Sequence, residues 1–536
     1  MLAISSRQSV FIAAVLCNVT RVLNRWMAIL LLLSITLYSD VLIAAPQSLT
    51  ITTPDARVTG SWQQTQNGPV AQFVGLRFAR AERWQAPELE RLRGNVDATT
   101  FASICPQQNG NRAWYQQVAA AFGVNPEVIP PRPNVSEDCL HLNIWTSNPN
   151  RSSSKPVMVW IHGGSNKNGY SYEPNYLGHR LAANDVVVVS IAYRLGVLGF
   201  LAHPEFDTPG SGNFGLLDQI SALSWVQEHI ADFGGDPNNV TLFGESAGAA
   251  DIGYLYAAPQ AQGLFHKAIS QSGGWQISRV ATLKEAADFG ETFANELGGL
   301  SKLDSMKAHQ VVSAAAEYFY GHYWDPKVDG HVITKAIPTL VQTNALTRKP
   351  LLLGFNSDEG LMYQPSQVDE DIWQEALLTT LGEQAETVNL TGKPLRERLN
   401  TLRTAANYAC PSLEWAAYNA DGSRSYVYEF ATARTQDHGL GAYHGAEIPY
   451  IFDTHDTWLP TTEADKELTN TMLQYWINFA ATGNPNGSNL LRWPVYAREE
   501  KRKGGKKDSS AMILELLPEP RAKIWNGAIC DAIRRR

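Results

Sequence analysis

Gly244-Glu245-Ser246-Ala247-Gly248 follows the strand-like run Val240-Thr241-Leu242-Phe243 and precedes a helix start built of small residues. That order predicts a serine on a tight strand-to-helix turn with its hydroxyl presented as a nucleophile. The demand is steric. Such a turn strains the serine backbone and closes only if the residues two before and two after lack side chains. Gly244 and Gly248 satisfy it. The chemistry expected is attack on a carbonyl carbon, which needs a base for the hydroxyl proton and donors for the resulting oxyanion. A second pattern fits the donors. His162-Gly163-Gly164-Ser165 comes directly after an apolar run ending at Ile161, where a loop of small residues can aim successive backbone N–H groups at one point.

These loops need a rigid frame, and the chain supplies one. Apolar runs at Val157-Met158-Val159-Trp160-Ile161, Val186 to Ile191, Val240 to Phe243, Ala268-Ile269-Ser270, Leu351-Leu352-Leu353 and Ser425 to Phe430 read as strands buried on both faces. Between the second and third, Ile220, Leu223, Val226 and Ile230 mark one face of a helix over Asp218 to Ile230, stopped by Phe233-Gly234-Gly235-Asp236-Pro237. Strand-helix-strand order predicts an α/β fold with a mostly parallel, doubly wound sheet. The segments from about Leu283 to Tyr323 and from Val368 to Asn407 read as helical insertions shaping a gorge or cap over the strand ends.

The 536 residues are 44% hydrophobic, enough to bury one large core. Forty-four basic against fifty-two acidic residues give a formal charge of −8, and −10 once residues 1–45, with three arginines and one aspartate, are set aside. Such a surface does not recruit nucleic acid. Arg21 and Arg25, the apolar run Met27 to Tyr38 and then Ala44-Ala45-Pro46 have the order of a secretory signal over residues 1–45, leaving 46–536 as a single enlarged domain. The competing reading is a membrane anchor, but the uncharged run ends at Asp40, too short to cross a bilayer. Stable membrane insertion is therefore not expected, and the product is secreted or periplasmic. Either Met1 or Met27 can be the start. Cys17 would leave with the signal, and four cysteines remain for two bridges. Cys105 with Cys139 is the expected pair, closing a loop that holds Trp114, Tyr115 and Pro130-Pro131-Arg132-Pro133; two buried free thiols are the alternative. Cys410 with Cys530 is left open. The mixed-sign run Arg498 to Lys507 reads as a solvated hairpin loop. Neither an H-E-x-x-H metal motif nor a G-x-x-x-x-G-K-[ST] phosphate loop occurs, so no metal or other cofactor is expected.

The motifs together are more specific than any one alone. Ser136-Glu137-Asp138-Cys139-Leu140-His141-Leu142-Asn143 and Phe243 to Gly248 resemble the paired signatures of the type-B carboxylesterase family, which includes the cholinesterases. Asn213-Phe214-Gly215-Leu216-Leu217-Asp218-Gln219, Gln271-Ser272-Gly273, Asp358-Glu359-Gly360 and Tyr443-His444-Gly445-Ala446-Glu447-Ile448 extend the resemblance over most of the chain. It implies an α/β-hydrolase fold and a Ser-Glu-His triad at Ser246, Glu359 and His444, with Asp358 the rival acid and His438 the rival base. It also implies oxyanion donors in the N–H groups of Gly164, Ser165 and Ala247, and a supporting role for Ser272 in orienting the acid. Ser165 stands where a third glycine is usual, which makes Gly163 a substitute donor.

A second departure concerns substrate. Cholinesterases carry a tryptophan ten residues before the cysteine matched by Cys139, where this chain has Ile129. An uncharged or mixed carboxylic ester is therefore expected ahead of a choline ester. Trp114, Tyr115 and Trp275 are candidates to line the gorge. The leading expectation is an exported hydrolase of small-molecule carboxylic esters. A thioester, amide or lipid hydrolase of the same fold and a non-catalytic cholinesterase-like interaction domain are the alternatives. Acyl and alcohol preference and oligomeric state are not legible in the chain.

Overall fold

Unbroken apolar runs require cover on both faces of a sheet, and the computed structural model of the chain supplies it. The structure describes residues 48–321, 323–497, 511–516, 519–521 and 527–536. The expected signal, Cys17 and the run Arg498 to Lys507 lie outside them.

Among these residues the strands are β1 (Ser48–Thr52), β2 (Ala56–Thr65), β3 (Gly68–Arg77), β4 (His141–Thr146), β5 (Lys155–Ile161), β6 (Val187–Ile191), β7 (Gly235–Glu245), β8 (Lys267–Gln271), β9 (Leu351–Asn356), β10 (Ser425–Phe430), β11 (Ala511–Leu514) and β12 (Glu519–Arg521). They join one thirteen-stranded sheet in the order β1-β2-β3-β4-β6-β5-β7-β8-β9-β10-β11-β12, with Gly94–Asp97 paired alongside β2. From β6 to β11 every neighbouring pair is parallel. The ladder β1 to β4, and its junction with β6, is antiparallel. The expected strands are present; the one expected over Val240 to Phe243 is longer, starting at Gly235, which pairs with Lys155 across a register shift.

Alternation within each central strand divides the core in two. Val157, Val159 and Ile161 of β5, with Val187 and Val189 of β6, face one layer; Met158, Trp160 and Val188 face the other. After α1 (Gly110–Ala121), the first layer is covered by helices α2 (Phe214–His229) and α3 (Ala247–Ala257). The second is covered by α10 (Glu463–Thr482), whose Leu468, Met472, Trp476 and Phe479 are buried. Helix α2 begins four residues earlier than expected, after Asn213. Its Asp218 is buried against Arg194, with Nη2 2.7 Å from Oδ1 and Nε 2.8 Å from Oδ2.

The two expected insertions are helical. The first holds α4 (Leu283–Glu296), α5 (Leu300–Ser305) and α6 (Ala308–Tyr318). The second holds α7 (Glu370–Leu381) and α8 (Leu395–Thr404), continued through a π-helical turn over Ala405–Ala409 into α9 (Cys410–Asn419). Both disulfides are formed, Cys105–Cys139 and Cys410–Cys530, the second tying α9 to α11 (Gly527–Arg535).

Candidate active site

In an open α/β sheet, ligands collect beyond the carboxyl ends of the strands. Here those ends deliver the expected residues. Ile161 of β5 leads into His162-Gly163-Gly164-Ser165, β7 ends at Glu245 before Ser246, and β9 ends at Asn356 before Glu359.

Ser246 has φ 56° and ψ −124°, the strained turn the pentapeptide predicts. The flanking glycines are obligatory. A Cβ on Gly248 would lie 2.0 Å from the Ile161 carbonyl oxygen, and one on Gly244 would lie 2.7 Å from it. The Ser246 N–H donates to Gln271 O at 2.9 Å, locking the turn to β8.

His444 Nδ1 lies 2.6 Å from Glu359 Oε2, and Glu359 Oε1 accepts the Asn356 N–H at 2.8 Å. The rival residues are elsewhere. Asp358 accepts from Asn400 Nδ2 at 2.9 Å and the Ala442 N–H at 3.0 Å, clamping the loop that carries His444, and His438 is exposed. The same loop is held from β9 by Asn356 Nδ2, which donates to Tyr443 O at 2.7 Å and to Glu447 Oε2 at 2.6 Å.

Glu245 is the site residue that sequence reasoning did not single out. Its Oε1 lies 3.1 Å from His444 Nε2, and no Ser246–His444 hydrogen bond is formed. The position inside the pentapeptide was its only signal. Burial pushes the Glu245 carboxyl up, to about 8, with Glu447, Glu359 and Glu173 adding to the rise against the opposing pull of His444. Burial pushes the His444 imidazolium down, but the carboxylates of Glu245 and Glu359 outweigh it and raise its pKa to about 9. Glu245 and His444 thus both hold their protons more tightly than in water.

Gly164, Ser165 and Ala247 all border the cavity beside Ser246. Gly164 and Ser165 adopt φ 102° and 57°, and Gly164 O accepts from the N–H groups of Lys167 and Asn168, each at 3.0 Å. This tight turn leaves the preceding N–H groups unspent. Gly163, the substitute donor, does not line the cavity; a Cβ there would lie 3.0 Å from Ser246 Cβ. The loop is braced from behind by Asn166, whose Nδ2 donates to Asp251 Oδ1 at 3.1 Å and whose Oδ1 accepts from Tyr193 Oη at 3.0 Å. Ser272 is buried with its hydroxyl unpartnered, and the two oxygens of Glu359 accept from Asn356 and face His444.

These groups open on one cavity of about 650 Å³. Trp114, Tyr115 and Trp275 line it, as do Tyr363 and Tyr408, whose rings lie 5.8 and 5.1 Å from that of His444. Ile129 does not; it packs with Tyr115 and Ala119 in a separate small cluster. Among the described residues no cluster of histidine, cysteine and carboxylate side chains is arranged to hold a metal ion, and no helix is long and apolar enough to cross a membrane.

Most of the chain is similar to known esterases. A family model described as "Carboxylesterase family" matches residues 47–512. The para-nitrobenzyl esterase of Bacillus subtilis (strain 168) is 34% identical over 484 residues, covering 84% of this chain and 93% of that protein. The cholinesterase of Mus musculus is 32% identical over 534 residues, covering 89% and 86%. A solved structure of a PNB esterase superposes with a TM-score of 0.72 at 33% identity, covering 88% of this chain and 97% of that one. The sheet with its helical insertions is the α/β-hydrolase fold, and the chain belongs to the carboxylesterase family, of the type-B, cholinesterase-like kind that its motifs resemble.

Proposed function

We propose that this carboxylic ester hydrolase is an exported serine esterase that works through an acyl-enzyme. Ser246 Oγ attacks the ester carbonyl while His444 Nε2 takes its proton, and Glu359 holds the imidazole tautomer and stabilises the imidazolium. The N–H groups of Gly164, Ser165 and Ala247 receive the oxyanion. Collapse expels the alcohol, protonated by His444; water activated by the same imidazole then releases the acid. The observation that carries this reading is convergence: Ser246, His444, Glu359 and the three donors border a single cavity, although they come from four separate stretches of chain. His444 Nε2 now faces Glu245, so substrate binding is expected to turn or deprotonate the imidazole toward Ser246.

Export of a single domain, residues 46–536, after removal of residues 1–45 is supported by the two disulfides, which persist in oxidising compartments. The position of Ile129 away from the cavity favours neutral esters over choline esters.

Ser246→Ala decides the mechanism. Turnover of a neutral ester such as 4-nitrophenyl butyrate should fall by about 10⁴-fold or more with thermal unfolding unchanged, since the side chain supplies the nucleophile and little packing. Near-wild-type turnover would overturn the triad. In wild type, kcat/KM for the neutral ester should exceed that for the matched choline ester at physiological ionic strength. The reverse order would assign a cation site to Trp114 or Trp275.

A further inference from the structure

The carboxylates that line the cavity are all answered. Glu173 accepts from Tyr115 Oη and from the Tyr170 N–H, each at 3.0 Å. Glu245 and Glu359 face the two nitrogens of His444. Asp325 pairs with Arg279 at 3.7 Å, and Arg279 in turn lies over the rings of Trp275 and Tyr323. Arg403 is the exception. It lines the same cavity, is only partly exposed, and its guanidinium makes no hydrogen bond or ion pair among the described residues. Burial already lowers its pKa from the ordinary arginine value, with no acidic neighbour to offset the loss.

The local backbone points the same way. Arg403 occupies the last turn of α8, and the π-helical turn Ala405–Ala409 follows at once. A π turn inserts a residue into a helix at some cost in hydrogen-bond geometry and is frequent at functional sites. Here it carries Asn407 and Tyr408 onto the cavity wall with Arg403, and the Asn407 amide also has no partner among the described residues. Gly360, next to Glu359, completes the corner: a Cβ there would lie 3.3 Å from Arg403 Cβ. A guanidinium with all five donors unspent is the side chain best matched to the planar, bidentate geometry of a carboxylate.

We propose that Arg403, with Asn407 on the same wall, forms a subsite for a free carboxylate on the ester substrate, so that half-esters of dicarboxylic acids are a preferred substrate class. The inference rests on the ester-hydrolase reading and leaves its chemistry unchanged: water adds across the ester C–O bond, releasing the alcohol and the dicarboxylate. The acidic surface slows the approach of an anion, but that repulsion is screened over about 10 Å in ordinary buffer, whereas a contact at Arg403 is not.

The test compares monoethyl esters with the corresponding diethyl esters of succinate, glutarate and adipate, in wild type, Arg403→Gln and Arg403→Lys. The ratio of kcat/KM for half-ester over diester should fall about 10- to 100-fold in Arg403→Gln for at least one chain length, the size of a lost charge-assisted hydrogen bond, and recover in part in Arg403→Lys. A ratio unchanged within threefold at every chain length would overturn the subsite. Adipate dianion supplies a readout independent of turnover: it should raise the melting temperature of Ser246→Ala, and not that of Ser246→Ala/Arg403→Gln. Equal shifts in the two would also overturn it. Failure of wild type to hydrolyse any diester would count against the esterase reading instead.

Discussion

At the scale of single residues, the site depends on where one proton resides. The proposed mechanism needs His444 Nε2 free, and the flanking carboxylates of Glu245 and Glu359 outweigh burial and raise the imidazole to about 9. The rising limb of the kcat/KM profile should therefore lie above the ordinary imidazole value of about 6.5. Glu245→Gln removes one of the carboxylates that retain the proton, so the limb should move to lower pH by about one unit or more. A limb that stays in place would dissociate Glu245 from the titration. His444→Gln should abolish turnover and the exposed His438→Gln should leave it intact; the opposite outcome would reassign the base. Ser246 was legible because its flanking glycines meet the demand of a tight turn, whereas Glu359 and His444 were named through the family resemblance of Asp358-Glu359-Gly360 and Tyr443 to Ile448. Glu245 was not, since it meets His444 only when the fold brings two stretches distant in sequence together. Arg403 was one of forty-four basic residues with no motif around it.

At the scale of elements, the parallel strands were readable because both faces are buried and their sequences are apolar throughout. The antiparallel ladder went unread. In β2 and β3, buried positions are interspersed with Gln63, Gln64 and Gln72, and β4 lies inside a stretch whose interest was its motif rather than its periodicity. The π turn was equally invisible, because Ala405-Ala406-Asn407-Tyr408-Ala409 has the composition of an ordinary helix. That turn is fastened by Cys410–Cys530, which closes a 120-residue separation. Loop-closure entropy gives such a bridge up to about 5 kcal/mol, against about 4 kcal/mol for Cys105–Cys139 with its separation of 34. Cys410→Ser should lower stability to urea and weaken the discrimination set by the Arg403 wall more than it lowers turnover of a diester. Equal losses in both would mean that the bridge supports the whole site rather than one wall.

At the scale of the whole molecule, one buried ion pair joins segments that are distant in sequence. Arg194 binds Asp218 of α2 through two side-chain contacts, and its Nη1 donates to Gln85 O at 2.8 Å, so one guanidinium ties a loop after β6 to a helix and to the segment following β3. Removing one partner strands the other charge in the core. Asp218→Ala should cost about 3–5 kcal/mol in equilibrium unfolding, while the pH dependence of turnover in the folded fraction stays that of wild type. A loss below about 1 kcal/mol would mean that water reaches Arg194.

The bridge from α9 to α11 also sets an order of events during synthesis. Cys530 is made after every strand of the sheet and after Ser246, Glu359 and His444. A nascent chain that has emerged only as far as β12 already contains the machinery for bond cleavage, yet the wall carrying Arg403 and Asn407 is still untethered. On the proposed reading of the site, reactivity and selectivity are acquired at different moments in the life of the protein. The second waits for the last helix and for an oxidant.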